Sequence, residues 1–302
     1  MEVPRDLPSG VAFELSGHRG AVLQCVFTAK GNYALSAGAD RTVRLWNPRT
    51  GTAVKEYEVH GKEVHDLAVS PDNARFASGG ADATAALVDV TSGSVVRRWR
   101  GHAGKVFAIG MNAQASVVAS GSYDATVRLW DARSGSHEPI QTLKHFTDAV
   151  MAVVVEKEAL VAASVDGSVR TFDLRNAEAV RDSLGSPVGN VAVSGDGNCL
   201  LAATLDDSLA LIDRADGGKL QTYRGHGHAN RSARVGCCFS HDDAHVVAGD
   251  EGGGVTIWDL VEGEAVRRFD RAHAAAVTGV AHHPTQPCMV TAGADGLVRI
   301  WQ

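Results

Sequence analysis

GHAGKVFAIGMNAQASVVASGSYDATVRLWD, residues 101–131, is the stretch that decides the fold. It opens on Gly101-His102, carries Val106, Ser120 and Asp124, and closes on Trp130-Asp131. Counted back from Trp130, the Asp lies six residues away and the Ser ten. The same spacing recurs with His18, Ser36, Asp40 and Trp46, and again with His273, Thr291, Asp295 and Trp301. The position before the closing Asp or its substitute runs Trp46, Val88, Trp130, Phe172, Ile212, Trp258, Trp301, in steps of 42, 42, 42, 40, 46 and 43 residues. A repeat of this length is one supersecondary unit that buries its apolar face only by stacking on its neighbours.

On these residues the chain resembles the WD-repeat family. The resemblance implies an all-β fold, a seven-bladed β-propeller forming a single domain over residues 1–302. In that family the loop His, turn Asp, strand hydroxyl and Trp join in one hydrogen-bonded chain. The residue types suit such a chain, since a buried imidazole needs an acceptor, a carboxylate needs donors, and the indole N–H ends the series on an apolar plate. An unpaired Asp there would carry a desolvation penalty of about 1–3 kcal/mol or more. The expected tetrads are His18, Ser36, Asp40, Trp46; His102, Ser120, Asp124, Trp130; and His273, Thr291, Asp295, Trp301.

The other repeats are worn. The second keeps His60, Ser78 and Asp82 but has Val88 for Trp. In the fourth, Asp166 and Phe172 remain, Ala162 replaces the hydroxyl and His145 is one residue out of phase. The fifth has Asp206 but opens on Gly185-Ser186-Pro187, and the sixth has Gly252 at the Asp position and Ala248 at the hydroxyl. These blades are expected to rely more on packing. One further strand normally follows each Trp-Asp, such as Thr52 to Tyr57 or Ser94 to Arg98, whereas only Gln302 follows Trp301. Residues 10–15 have an unattached strand pattern, so the N-terminal segment is expected to complete the seventh blade. Closure of that kind leaves short, protected sheet edges.

Length alone would suggest two domains, but stacked repeats override that prior. A hydrophobic content of 44% with 33 glycines suits many short strands joined by tight turns at Ala39-Asp40, Asp166-Gly167, Asp196-Gly197 and Asp295-Gly296. No apolar run approaches the roughly 18 residues of a membrane span, and residues 1–6 lack signal-peptide character. Five cysteines without a CxxC motif read as small hydrophobes of a reducing compartment. A net charge of −6 gives no footprint for general nucleic-acid binding.

No active site is legible, so the chain reads as a non-enzyme without cofactor, metal or small-molecule substrate. Of the thirteen histidines, His18, His60, His102, His226 and His273 are read as Gly-His positions or close variants, hence structural. His226 with His228, and His282-His283, have no partner at zinc-ligand spacing. Recurrent Asp residues fall once per blade, which suits structure and not catalysis. Gly252-Gly253-Gly254 opens a strand, with no Lys-Ser/Thr after it, and is not a phosphate loop. Arg133 and Arg175 each stand two residues past the closing Asp of consecutive blades. WD-repeat substrate receptors of cullin-RING ubiquitin ligases often carry this Asp-x-Arg box, so adaptor contact through these arginines is the alternative reading; strand-end arginines also occur in unrelated blades.

Propellers of the family usually bind partners on the face of the d–a and b–c loops. Projected here, that face offers Leu23, Glu63, His65, Lys105, Phe107, Tyr123, Met151, Leu205, Arg234, Glu251 and Thr278. Phe107, Tyr123 and Met151 would make an apolar patch ringed by charge, the pattern of protein–protein hot spots; an exposed aromatic on a propeller is also often incidental. The loop 225–234 is five residues longer than its counterpart in blade one and basic in an acidic protein. It reads either as a recognition element for an acidic partner segment or as a solvated loop.

The connecting stretches carry a narrower resemblance. Gly31-Asn32-Tyr33, Leu45-Trp46-Asn47-Pro48, residues 101–106, Gly185-Ser186-Pro187, Asp259-Leu260-Val261-Glu262-Gly263 and His283-Pro284-Thr285 with Pro287-Cys288 are similar to the mitogen-activated protein kinase organizer branch of the WD-repeat family. The similarity covers nearly the whole chain in order. It implies a scaffold of cytoplasm and nucleus whose partners are kinase-cascade or spliceosomal proteins, with a prolyl hydroxylase of the hypoxia pathway also associated. Between signalling and splicing the residues do not choose. The chain departs from the branch at Gly252, where Asp is expected, which weakens blade six. It stops at Gln302, which implies no function carried by a tail.

Overall fold

The computed structural model describes residues 7–175 and 179–302, and these form 28 strands in seven four-stranded antiparallel sheets. The expectation for residues 1–6, that they lack signal-peptide character, lies outside the described residues. Among the described residues no helix forms, so none is long and apolar enough to cross a membrane. The architecture is a seven-bladed β-propeller.

Blade one shows the plan: strands a to d are Val22–Phe27, Ala34–Gly38, Thr42–Asn47 and Thr52–Glu58, hydrogen-bonded in that order from the channel outward. Burial follows position in the sheet. Strand b is buried along its whole length, whereas strand d is mostly exposed. Each blade leaves both faces of its inner strands apolar, and those faces meet the next blade. The core therefore consists of seven clusters, each spanning two neighbouring blades. Leu35, Leu45 and Tyr57 of blade one pack with Phe76 and Val88 of blade two, for example, and Trp99 of blade two packs with Val118 and Trp130 of blade three. No blade has a core of its own, so no blade is stable alone.

The last sheet joins the two ends of the described chain. Val11–Leu15 pairs antiparallel with Val298–Trp301, Leu15 facing Val298. Ser9 and Gly10 donate their amides to the Gln302 carbonyl, and Arg299 pairs with Glu14 at 2.7 Å. The N-terminal strand thus completes the seventh blade.

Strands a ring a central channel, and two glycines set how tightly they crowd. A Cβ on Gly236 would stand 2.2 Å from the Val280 amide nitrogen, and one on Gly279 would stand 2.9 Å from that of Cys25. Any side chain there would push blades six, seven and one apart.

Candidate protein-interaction face

The hydrogen-bonded tetrads fix the loops that form the candidate face. In blade one, His18 Nδ1 lies 3.0 Å from Asp40, His18 Nε2 lies 2.7 Å from Ser36 Oγ, and Trp46 Nε1 donates to the same oxygen at 2.8 Å. Blade three repeats this with His102–Asp124 at 2.9 Å, His102–Ser120 at 2.8 Å and Trp130–Ser120 at 2.8 Å. Blade seven has His273–Asp295 at 3.0 Å, His273–Thr291 at 2.8 Å and Trp301–Thr291 at 2.9 Å. Each Asp also accepts the amide of the residue after the His, Arg19, Ala103 or Ala274, and so pins the d–a loop to the b–c turn. Burial by itself would raise the Asp124 carboxyl; hydrogen bonds from His102, Thr126 and the Ala103 amide outweigh it and hold the group far below the usual range. Burial also lowers His18 and His273, only partly offset by their carboxylate partners.

The worn blades substitute other contacts. Blade two keeps His60–Asp82 at 3.0 Å and His60–Ser78 at 2.9 Å, while its strand-d Trp99 stacks on Trp130 of the next blade at 5.9 Å. In blade four, His145 is exposed and Phe146 is the buried residue. Arg170 lies over the Phe146 ring at 4.8 Å and reaches Asp166 at 3.7 Å, so a guanidinium stands in for the imidazole. Blade five satisfies Asp206 with hydroxyls of Ser186, Thr204 and Ser208.

Blade six corrects the sequence reading. His226 is exposed, and it is His228 that is buried, edge-on to Trp258 at 5.5 Å. The carboxylate of this blade is Asp250, two residues ahead of Gly252, buried and paired with Arg268 at 2.9 Å. The spacing from His228 to Asp250 equals that from His18 to Asp40, a signal that counting back from Trp258 hides. Both His228 nitrogens and Trp258 Nε1 are buried without a hydrogen-bond partner among the described residues, because Ala248 offers no hydroxyl between them.

On the face of the d–a and b–c loops, blades two and three carry a contiguous aromatic shelf. His65 and Phe107 meet edge-to-face at 5.0 Å, Phe107 and Tyr123 at 6.3 Å, and Tyr123 is 65% exposed. Lys105 and Glu63 flank it at 4.0 Å from one another, with Glu63 3.9 Å from His65. Burial pushes His65 down to about 4, with Arg234 and Lys105 adding to the effect. Leu23 and Met151 are half-buried on strand a of blades one and four. Leu205 is half-buried, and Thr278 is engaged within the ring, its hydroxyl donating to the Val22 carbonyl at 2.6 Å.

Two candidate contacts serve the ring instead. Arg234 turns inward, donating to the Phe107 carbonyl at 2.7 Å and approaching Asp66 at 3.5 Å, so it latches the long loop across the channel to blade three. Glu251 caps that loop, accepting the amides of Arg231, Ser232 and Ala233. With Arg231 paired to Asp207 at 2.6 Å, the loop's two arginines are already neutralised. Its basic composition therefore does not make it a free cationic surface. The channel residues Gln24, Asp66 and Asn190 escaped the sequence reading, since they lie in strand a and share no motif. Asp66 accepts hydrogen bonds from Gln24 and from the Ile109 amide, tying blades one to three around a cavity of about 290 Å³.

On the opposite side, Arg133 donates to the Gln114 carbonyl at 3.2 Å, and Arg175 pairs with Glu158 at 2.7 Å and Asp173 at 2.9 Å. Both are exposed, and both are engaged within the chain.

The family model described as "WD domain, G-beta repeat" matches residues 10–47, 51–89, 93–131, 217–259 and 263–302. The gap between the third and fourth of these spans the worn blades four and five. The chain is 49% identical over 297 residues to WD repeat domain-containing protein 83 of Rattus norvegicus, covering 98% of this chain and 93% of the relative. It is 49% identical over 299 residues to the human protein of that name, covering 99% and 94%. A WD repeat-containing protein of Schizosaccharomyces pombe is 45% identical over 276 residues, covering 91% and 92%.

Proposed function

Because the chain belongs to the WD-repeat family, whose propellers are generally non-catalytic platforms for other proteins, we propose that it is an interaction scaffold that assembles a kinase signalling module, or a component of pre-mRNA splicing complexes, in cytoplasm and nucleus. The observation that carries this reading is the His65–Phe107–Tyr123 shelf, an aromatic anchor site built on two inner strands and the b–c turn of blade three and rimmed by Glu63 and Lys105. Blades tied into one ring by shared cores hold such a face without rearrangement, which lowers the ordering cost of binding. The kinase and splicing partners are supported by the resemblance of the connecting stretches to the kinase organizer branch.

Affinity purification of the tagged chain with mass spectrometry tests it, beside a Phe107→Ala/Tyr123→Ala variant of unchanged thermal midpoint. Kinases or splicing factors held by the parent chain and lost by the variant are the expected result. Neither class recovered with the parent chain would refute the scaffold assignment.

A further inference from the structure

Several surface cations of this ring have an acidic partner. Arg44 pairs with Glu56 at 2.6 Å, Arg224 with Asp206 at 3.1 Å, Arg231 with Asp207 at 2.6 Å and Arg299 with Glu14 at 2.7 Å. The loops of blades one and two hold a group of cations without one. Arg19, Arg41 and Lys62 are exposed, and among the described residues no side-chain hydrogen bond or ion pair engages any of them. Arg41, Lys62 and Lys105 line one open cavity of about 420 Å³ whose single acidic group is Glu63. Arg19 joins them, because its amide is bonded to Asp40, the residue before Arg41. The tetrads hold these loops in place, so the cations project from fixed backbone. In a chain of net charge −6, uncompensated positive charge gathered at one place is a local exception.

This cavity adjoins the aromatic shelf, since Lys105 and Glu63 border both. We propose that the surface of blades one to three docks an acidic peptide segment of a partner protein, its carboxylates over Arg19, Arg41, Lys62 and Lys105 and an aromatic or aliphatic residue on Tyr123 and Phe107. The inference rests on the scaffold reading and adds the chemistry of the partner. Charge complementarity selects such a partner and speeds its encounter. Burying the apolar anchor supplies the affinity that exposed charge pairs lack.

A nucleic-acid strand fits this surface less well. Glu63 stands within the cluster, and the tetrad carboxylates of Asp40 and Asp82 lie at the loop tips beside it, bonded to the amides of Arg19 and Gly61. A continuous phosphate backbone would meet these charges, whereas a peptide can space its carboxylates between them. Phe107 is also engaged edge-to-face by both His65 and Tyr123, which leaves no run of open ring faces for successive bases.

The test is selection from a display library of random short peptides on the folded chain. The enriched peptides are then synthesised and their binding measured by fluorescence anisotropy. Three proteins are compared: the parent chain, Arg41→Glu/Lys62→Glu/Lys105→Glu, and Tyr123→Ala, each checked by circular dichroism and thermal midpoint. Expected are peptides with Asp or Glu flanking an aromatic or aliphatic residue. Their affinity should fall about tenfold or more in the charge-reversed chain at low salt, with the gap closing in high salt, and should also fall in Tyr123→Ala. Enriched peptides without acidic residues, or bound equally by the charge-reversed chain, overturn the proposal. If those peptides still require Tyr123, the binding face stands and only its acidic preference falls; if they ignore both variants, the face falls as well. No enrichment at all, or displacement of the peptide by a single-stranded uridine oligomer, also overturns it.

Discussion

Replacing Ala248 by Ser should stabilise this protein, although it places a polar group in a fully buried position. Ala248 lies ten residues before Trp258, where Ser36, Ser120 and Thr291 lie relative to their own Trp. In those three blades one hydroxyl bridges the His Nε2 and the indole N–H at 2.7 to 2.9 Å. Blade six has the same two rings, with His228 edge-on to Trp258 at 5.5 Å and His102 edge-on to Trp130 at 6.2 Å in blade three, but lacks the bridge. Both His228 nitrogens and Trp258 Nε1 are therefore buried and unsatisfied among the described residues. A serine hydroxyl that reaches both rings removes two such orphans at a cost of about 1–3 kcal/mol for its own burial, while each new hydrogen bond contributes about 0.5–1.5 kcal/mol net and relieves a similar penalty. The expected gain is about 1–2 kcal/mol. With an unfolding entropy of about 2.1 cal/mol/K per residue, a chain of 302 residues should rise in thermal midpoint by about 2–3 °C. Ala162→Ser supplies the contrast. Ala162 occupies the same place in blade four, but Phe172 replaces the Trp and His145 is exposed, so the hydroxyl gains neither partner and should destabilise by about 1–3 kcal/mol. Differential scanning calorimetry with urea titration reads both. Two variants shifting in the same direction, or Ala248→Ser losing stability, would refute the bridging argument.

Other outcomes follow from the same geometry. Trp130→Ala removes a fully buried indole stacked on Trp99 and should cost about 3–5 kcal/mol in a urea titration. His65 and His282 are both pushed by burial to about 4. A lowered folded-state value means the unfolded chain takes up the proton first, so their contribution is intact above about 6.5 and drains away as pH falls towards 4, with a slope of up to about 1.4 kcal/mol per pH unit for each group. His282→Asn should flatten the fall in thermal midpoint between pH 6.5 and 4 by the share of one group; an unchanged slope would contradict the assignment. Arg133→Ala/Arg175→Ala should leave captured partners unchanged, and selective loss of a ubiquitin-ligase adaptor would favour the ligase alternative instead.

Regular features were legible in the sequence because one period repeats them. The spacing of His102, Ser120, Asp124 and Trp130 places two loops and two strands at once, and the strand pattern of residues 10–15 anticipates the Val11–Leu15 pairing with Val298–Trp301. Irregular blades were legible only as losses. What replaces a lost contact is chosen by space and not by spacing: Arg170 over Phe146 in blade four, three hydroxyls around Asp206 in blade five, Arg268 on Asp250 in blade six. Arg234 was hidden for a related reason. It is bound to a carbonyl 127 residues away, and no local pattern reports a contact across the channel.

The free charge of blades one and two stands beside intact histidine–carboxylate bonds. Where a tetrad is complete, the histidine satisfies the buried carboxylate from within, as in blade one, and the neighbouring Arg19 and Arg41 have no side-chain partner among the described residues. In blade seven, Arg299 pairs with Glu14 at 2.7 Å and with Asp295 at 3.8 Å. Where the histidine–carboxylate bond is lost, an arginine is drawn in to pair with the carboxylate, as Arg170, Arg224 and Arg268 are with Asp166, Asp206 and Asp250. Keeping the bond does not by itself free a cation, since Arg98 still stands 4.0 Å from Asp82 in blade two and Arg299 3.8 Å from Asp295 in blade seven. Blades one and two keep the bond and carry the unpartnered Arg19, Arg41 and Lys62, and the aromatic shelf stands beside them on blades two and three. Rigid loops and unpartnered cations therefore coincide on one sector of the ring, beside the aromatic anchor.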